Sequence, residues 1–253
     1  MRRHLAGALI AVDFDGTLAP IVADPGDSRL VPGAIEVLST LSRAGAHVVI
    51  ITGRDAATVV RLGGLDAVPG LRVAGLYGLE TWHDGNLVRP DEPESIRSLR
   101  AQLPAVVAEH GMPGVRVEDK GLSLVVHTRR SPDPQGALAA LRPPVARLAR
   151  GLGLEAKDGR NVIELRLAGS DKGGVLRGVM RELDPVAMLY AGDDLGDLPA
   201  FAVVAQARAA GRDAWRVGVV SAEVPELADH IDVAVNGPAE LVRLLQQVAE
   251  GAP

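Results

Sequence analysis

Three short apolar segments, at 8–12, 47–51 and 186–191, stand out along the chain, and each ends in a polar or glycine-containing turn. Runs of that length without alternation predict parallel strands buried on both faces. Between the first two, a helical pattern runs from about Pro32 to Arg43, with proline near its start and Gly45 just past its end, the asymmetry that helix termini favour. The spacing gives a strand-helix-strand unit. A further helix is predicted over 55–62, directly after Thr52-Gly53-Arg54, and 72–78 continues the alternation of strand and turn. The last third repeats the rhythm: a helix over 172–182, the strand at 186–191, a short helix over 198–204, a strand at 216–220 and a closing helix over 238–249. The expected fold class is α/β, a doubly wound parallel sheet covered on both faces.

The middle behaves differently. Residues 115–120 and 122–130 alternate as antiparallel strands do, around a Lys120-Gly121 turn. A helix begun by Ser131-Pro132-Asp133-Pro134 should run to about Arg150, and a second hairpin should pair 154–157 with 161–167 across Asp158-Gly159. The expected organisation is a catalytic core of residues 1–88 and 169–253, interrupted by a small α+β unit over 89–168.

Composition removes several chemistries. The chain has 253 residues, 47% of them apolar and 23% charged, which is ordinary for a folded globular protein. With no cysteine, it can carry neither a disulfide, a thiolate metal site nor a thiol nucleophile, so any metal must sit on oxygen or imidazole. The first twelve residues imitate a signal peptide, yet the apolar stretch runs straight into Asp13 without a small-residue cleavage site. No apolar run approaches the roughly 18 residues of a membrane span, so a cytoplasmic location without membrane contact is expected. A formal charge of −5, no basic run and few aromatic residues argue against a nucleic-acid partner. Of 27 basic residues only Lys120, Lys157 and Lys172 are lysines, the type preferred where a compact point charge is wanted.

The sharpest chemical signal is Asp13-Phe14-Asp15-Gly16-Thr17-Leu18, immediately after the first strand. Side chains at i and i+2 share a direction, so Asp13 and Asp15 converge while Phe14 turns inward. A bare Asp-x-Asp-Gly is also an ordinary turn. Paired carboxylates at a buried strand end, however, persist mainly where a cation or a phosphoryl-type reaction uses them. Gly192-Asp193-Asp194-Leu195-Gly196-Asp197 comes after the strand at 186–191 and crowds three more carboxylates into one turn, which is costly without a cation. The Thr52 hydroxyl and neighbouring N–H groups could bind phosphate oxygens at a helix start. Lys172 opens a helix, where a cation is unfavourable unless an anion lies near.

In this order, the DxDGT, TGR, Lys172 and GDDLGD signals resemble the haloacid dehalogenase superfamily of phosphotransferases. The resemblance implies a Rossmann-like core with an inserted cap. It makes Asp13 the nucleophile that forms an aspartyl-phosphate, with Asp15 as the acid and base for leaving group and water. It also implies Mg²⁺ held by Asp13, Asp193 and the Asp15 main-chain carbonyl, with Thr52 and Lys172 stabilising charge. Asp194 would orient Lys172 or a metal-bound water, and Asp197 would brace the loop. Arg54, placed among the substrate-binding candidates, could reach phosphate or pair with a carboxylate.

Residues 117–130 and 159–173, together with Gly75-Leu76-Tyr77-Gly78-Leu79-Glu80, resemble the trehalose-6-phosphate phosphatase family. That resemblance implies that the inserted unit acts as a specificity lid, with Glu118, Lys120, Arg129 and Glu164 binding hydroxyls of the sugar distal to phosphate. It also implies a sugar-phosphate substrate and allows association with a trehalose-6-phosphate synthase. Tyr77 and Thr128 depart from the family's usual His and Tyr, and Leu167-Ala168 from a proline-containing stretch. Another sugar phosphatase, of the glucosylglycerate- or sucrose-phosphate type, or a phosphomutase, remains an alternative. Tyr77 and Trp82 could stack on a sugar face or simply pack.

Overall fold

A computed structural model describes residues 5–89, 91–110, 112–159, 161–167, 171–221 and 224–251. Gly169 and Ser170, which precede Lys172, and Ala168 lie outside the described residues. The chain divides into two compact units, residues 1–89 with 171–253 and residues 90–170.

In chain order, the larger unit begins with β1 (Leu9–Val12), α1 (Ala34–Arg43), β2 (His47–Ile51), α2 (Ala56–Gly63), β3 (Arg72–Gly75), β4 (Glu80–His83) and β5 (Asn86–Val88). The smaller unit holds α3 (Glu94–Ala108), β6 (Arg116–Asp119), β7 (Ser123–His127), α4 (Pro134–Gly151), β8 (Leu154–Gly159) and β9 (Val162–Leu167). The larger unit then resumes with α5 (Lys172–Leu183), β10 (Ala187–Gly192), α6 (Leu198–Ala209), β11 (Asp213–Val220), β12 (Val233–Asn236) and α7 (Pro238–Ala249).

The larger unit is built on one sheet in the order β12-β11-β10-β1-β2-β3-β4-β5. Its first six strands are parallel, and β4 and β5 are antiparallel. All four residues of β1 are buried, and they alternate between two cores. Ile10 and Val12 join α1, α2 and α7 on one face, and Leu9 and Ala11 join α5 and α6 on the other. This is the doubly wound α/β architecture read from the apolar runs. It gathers the carboxyl ends of β10, β1 and β2 side by side, where open parallel sheets place their ligands.

The smaller unit is a four-stranded antiparallel sheet in the order β6-β7-β9-β8. Its apolar face, with Leu124, Val126, Ile163 and Leu165, packs on Leu99 and Leu103 of α3 and on Leu141 and Val145 of α4. Register sets Glu118 opposite Val125, Val125 opposite Glu164 and Glu164 opposite Lys157. Directly paired residues share a face, so these four form a row on the other side of the sheet.

Two local expectations need correction. The second hairpin does not turn at Asp158-Gly159: both residues pair within β8, and Asn161 takes the left-handed conformation at φ 62° beyond them. The helix that starts at Leu198 runs to Ala209 rather than stopping near 204, because Val203, Val204 and Ala207 continue its buried stripe. Helix α3 and the β4–β5 hairpin were not anticipated.

Candidate active site

Asp13 comes directly after β1, and its N–H donates to Ala191 O at 2.9 Å, fixing it against the end of β10. The chain then bends at Gly16, with φ 76°. A Cβ on that glycine would lie 1.9 Å from Asp193 Oδ2, so only glycine lets the loop approach the second acidic turn so closely. Thr17 completes the junction, its hydroxyl donating to Asp193 Oδ1 at 2.9 Å across 176 residues of sequence.

Lys172 opens α5 behind the helix cap Asp171, whose side chain accepts the Gly174 N–H. The lysine is 5% exposed. Its Nζ lies 2.9 Å from Asp13 Oδ2 and 2.7 Å from Asp197 Oδ1. Asp197, fully buried, also accepts the Tyr190 hydroxyl on Oδ1 at 2.5 Å and the N–H groups of Asp193 and Asp194 on Oδ2 at 3.1 and 3.2 Å. Both Asp197 oxygens are thus committed to two donors each. Of the two roles expected of Asp194, orienting Lys172 or a metal-bound water, the first falls to Asp197, which also braces the loop as expected, while Asp194 Oδ1 accepts the Gly196 N–H at 2.8 Å and caps the turn.

These contacts decide the protonation pattern. Burial alone would lower the Lys172 pKa, but the charges of Asp13 and Asp197 outweigh it and hold it well above the ordinary value. Burial raises the Asp13 carboxyl well above its usual range, with Lys172 pulling the other way and Asp197 and Asp193 adding to the rise. Asp193 is pushed up to about 7 by burial and by the charges of Asp197 and Asp194. Asp197 goes down despite its burial, because Lys172 and the Tyr190 hydroxyl stabilise its charge.

Asp13, Asp193 and Asp197 present oxygens within 4.8 Å of one another, a spacing that suits one metal ion. Asp197 has no acceptor position left over, so Asp13 and Asp193 are the carboxylates that fit as ligands. Their all-oxygen chemistry suits a hard divalent cation. One lysine against this many buried carboxylates also leaves a negative excess that such a cation would neutralise.

Asp15 is turned to Arg54, outside that carboxylate cluster. Arg54 Nε lies 2.5 Å from Asp15 Oδ2 and Nη2 2.6 Å from Oδ1, a two-pronged pair. Arg54 Nη1 also donates to Pro25 O at 2.7 Å, and the Ser28 hydroxyl donates to Asp15 Oδ1 at 3.2 Å. Of the two roles open to Arg54, the structure shows the carboxylate pair. Thr52 is buried just past β2, and its hydroxyl accepts the Arg54 N–H at 3.2 Å.

In the smaller unit, Glu118 Oε2 pairs with His127 Nε2 at 2.7 Å and Glu164 Oε1 accepts the Ser123 hydroxyl at 3.4 Å. Lys120 lies just past β6, where its N–H donates to Ser123 O, and Arg129 is exposed just beyond β7. Trp82 is a core residue. Sequence reasoning missed Tyr190, although a tyrosine hydroxyl inside a wholly buried strand demands a polar partner. Glu80, which closes the family-like 75–80 segment but was given no role, is buried and receives the Ala56 N–H and the Arg89 guanidinium.

Residues 11–237 match the family model described as trehalose-phosphatase. The chain belongs to the trehalose-phosphatase family. It is 37% identical over 203 residues to a trehalose-phosphate phosphatase of Mycobacterium tuberculosis, covering 76% of this chain and 50% of that protein. It is 34% identical over 267 residues to the trehalose-phosphate phosphatase of Mycobacterium avium, covering 97% of this chain and 63% of that one. The chain therefore spans half to just under two thirds of the length of these trehalose-phosphatase relatives. Among solved structures, a trehalose-6-phosphate phosphatase related protein superposes with a TM-score of 0.71 at 27% identity, covering 96% of this chain and 97% of that one. A phosphatase of the HAD enzyme superfamily from Bacteroides thetaiotaomicron shares the fold, with a TM-score of 0.65 at 17% identity over 96% of this chain and 96% of that one.

Proposed function

We propose that this chain hydrolyses trehalose 6-phosphate to trehalose and phosphate through an aspartyl-phosphate on Asp13, with Mg²⁺ as the divalent ion. The observation that carries the reading is the buried Lys172 bonded to both Asp13 and Asp197, with Asp193 beside them, in a chain matched over most of its length by the trehalose-phosphatase model. Asp13 attacks phosphorus, the bond to the sugar oxygen breaks, and Asp15 supplies that oxygen with a proton. Asp15 then takes a proton from the water that cleaves the aspartyl-phosphate. Both Asp15 oxygens are taken by Arg54 and Ser28 in this arrangement, so Asp15 turns from them toward the phosphoryl group for the two transfers, and general acid-base help of this kind contributes about 10²–10⁴-fold. Lys172 and Thr52 stabilise the charge that develops on the phosphoryl oxygens. The ion, held by Asp13 and Asp193, supplies Lewis-acid neutralisation of that charge.

Sugar recognition by Glu118, Lys120, Arg129 and Glu164 belongs to the same proposal. Its support is that Glu118 and Glu164 lie in one cross-strand row with Lys157 on the face turned away from the apolar core; Lys120 and Arg129, just past the strand ends, rest on the resemblance alone. We also place the enzyme in the cytoplasm, where a trehalose-6-phosphate synthase would be the natural source of its substrate and a potential associate. No described helix is long and apolar enough to cross a membrane.

A Mg²⁺-dependent phosphate-release panel over sugar phosphates tests the reading. Trehalose 6-phosphate is expected to exceed glucose 6-phosphate at least about tenfold in kcat/KM, a floor set well under the roughly 10⁴–10⁵ that a site built to pair polar groups can reach. Glu118→Ala is expected to reduce turnover of trehalose 6-phosphate far more than that of p-nitrophenyl phosphate. Equal losses on both esters, or a preference for another sugar phosphate, would overturn the assignment.

A further inference from the structure

Among the described residues, the turn between β3 and β4 is the one place where two consecutive non-glycine residues adopt positive φ. Leu76 lies at 48° and Tyr77 at 55°. The other three positive-φ residues are Asp84, Asn161 and Asp184, types that tolerate this region far better than leucine or tyrosine do. Strain of this kind persists only where the surroundings over-determine it, and it gathers at functional sites.

The surroundings here are the Thr52–Arg54 loop and the helices beside it. Leu76 N–H donates to Arg54 O at 2.8 Å and Tyr77 N–H to Thr52 O at 3.0 Å. Glu80, at the far end of the turn, accepts the Ala56 N–H that opens α2. Three glycines mark how closely the pieces meet. A Cβ on Gly75 would lie 2.4 Å from Ala56 N, and one on Gly78 would lie 2.6 Å from Val175 Cγ2, on the helix that Lys172 opens. One on Gly53 would lie 2.7 Å from the Tyr77 hydroxyl oxygen. The same Cβ would lie 2.9 Å from Cζ and 3.4 Å from Cε1 of Tyr77, so the ring edge as well as the hydroxyl rests on Gly53, between Thr52 and Arg54.

We infer that Tyr77 is a positioning residue for phosphate binding: its ring and strained backbone hold the Thr52-Gly53-Arg54 loop in the shape that receives a phosphoryl group. This rests on the reading of Thr52 as a phosphate-binding residue. A glycine at 77 would satisfy the backbone without strain, but would leave Gly53 unbraced. The brace acts on the loop that carries Thr52 and Arg54, and Arg54 is paired with Asp15, so its loss weakens phosphate binding and slows chemistry as well.

The test is calorimetric titration of inorganic phosphate into the full chain with Mg²⁺, paired with kinetics on p-nitrophenyl phosphate, for Tyr77→Phe, Tyr77→Gly and Tyr77→Asn. Tyr77→Phe keeps the ring and is expected to stay within about twofold of the unaltered chain in phosphate Kd. Tyr77→Gly and Tyr77→Asn are expected to raise phosphate Kd at least about fivefold and to lower kcat/KM by at least as much. Their Tm should stay within a few degrees of the unaltered chain, since relief of positive φ offsets the lost ring contacts. A purely structural tyrosine would instead lower Tm and leave Kd unmoved. A Kd within about twofold in both ring-deleting variants overturns the positioning role alone. An unaltered chain that binds no phosphate and cleaves no ester defeats the phosphatase reading, and the positioning role with it.

Discussion

Replacing Asp193 by asparagine should stabilise the metal-free protein, although it removes a residue placed at the heart of the site. Burial and the charges of Asp197 and Asp194 push the Asp193 carboxyl from 3.8 to about 7. An acid whose folded pKa is raised costs nothing below its unfolded value, because both states are then protonated. Between pH 3.8 and about 7 the unfolded chain is ionised there while the folded chain must take up a proton, so stability falls as pH rises; above that window the penalty is constant. About 3 pKa units at about 1.4 kcal/mol each set an upper bound of about 4 kcal/mol. The neighbouring aspartates share part of that repulsion, so about 2 kcal/mol is a reasonable lower figure. Asparagine keeps the shape, and its oxygen can still accept the Thr17 hydroxyl. Thermal unfolding with a chelator present should therefore show Asp193→Asn at least about 4 °C more stable than the unaltered chain at pH 8, from about 2–4 °C per kcal/mol for a chain of this size. At pH 4.5 the gap should shrink to under about 1 kcal/mol, because Asp193 is then mostly protonated in the fold. Added Mg²⁺ should raise the Tm of the unaltered chain at pH 8 and leave the variant nearly unmoved. Equal Tm values at both pH values, or a variant less stable at pH 8, would refute the claim that uncompensated carboxylates crowd this turn.

The same contacts give two further expected outcomes. Tyr190→Phe deletes one donor to Asp197 and should cost about 1.5–3 kcal/mol of stability, the range for hydrogen bonds to charged groups; urea unfolding reads this directly, and no loss would mean that the Tyr190–Asp197 bond contributes nothing. Gly16→Ala must adopt φ 76° and place a methyl 1.9 Å from Asp193 Oδ2; calorimetry with Mg²⁺ should show metal binding lost or severely weakened, and an unchanged Mg²⁺ affinity would contradict the close approach.

Asp13, Asp193 and Lys172 could be picked out in the sequence because each sits at the edge of an easily read element, the first two past buried strands and the third at a helix start. Their convergence comes from parallel topology: β1 and β10 are neighbours, so the loop leaving one strand meets the loop leaving the other. The Arg54–Asp15 pair was not legible, since two roles suited a guanidinium in that loop and only geometry chooses between them. The division of labour between Asp194 and Asp197 was equally hidden, because it depends on which carboxylate the turn points inward. The Asp84-Gly85 pair does carry a hairpin signal, and both residues take positive φ in the structure. Helix α3 was obscured because Pro104 lies inside it, and proline argues against helix interiors. Pro143 and Pro144 lie within α4 without ending it.

The central claim is that Asp13 itself receives phosphorus, and the most direct measurement is acid quenching of the chain during Mg²⁺-supported turnover of trehalose 6-phosphate, with peptide mass spectrometry of the quenched protein. The expected result is one added phosphoryl group on the peptide containing Asp13, absent without Mg²⁺ and absent in Asp13→Asn. Sustained phosphate release by Asp13→Asn, or a phosphoryl group on any other residue, would contradict the account.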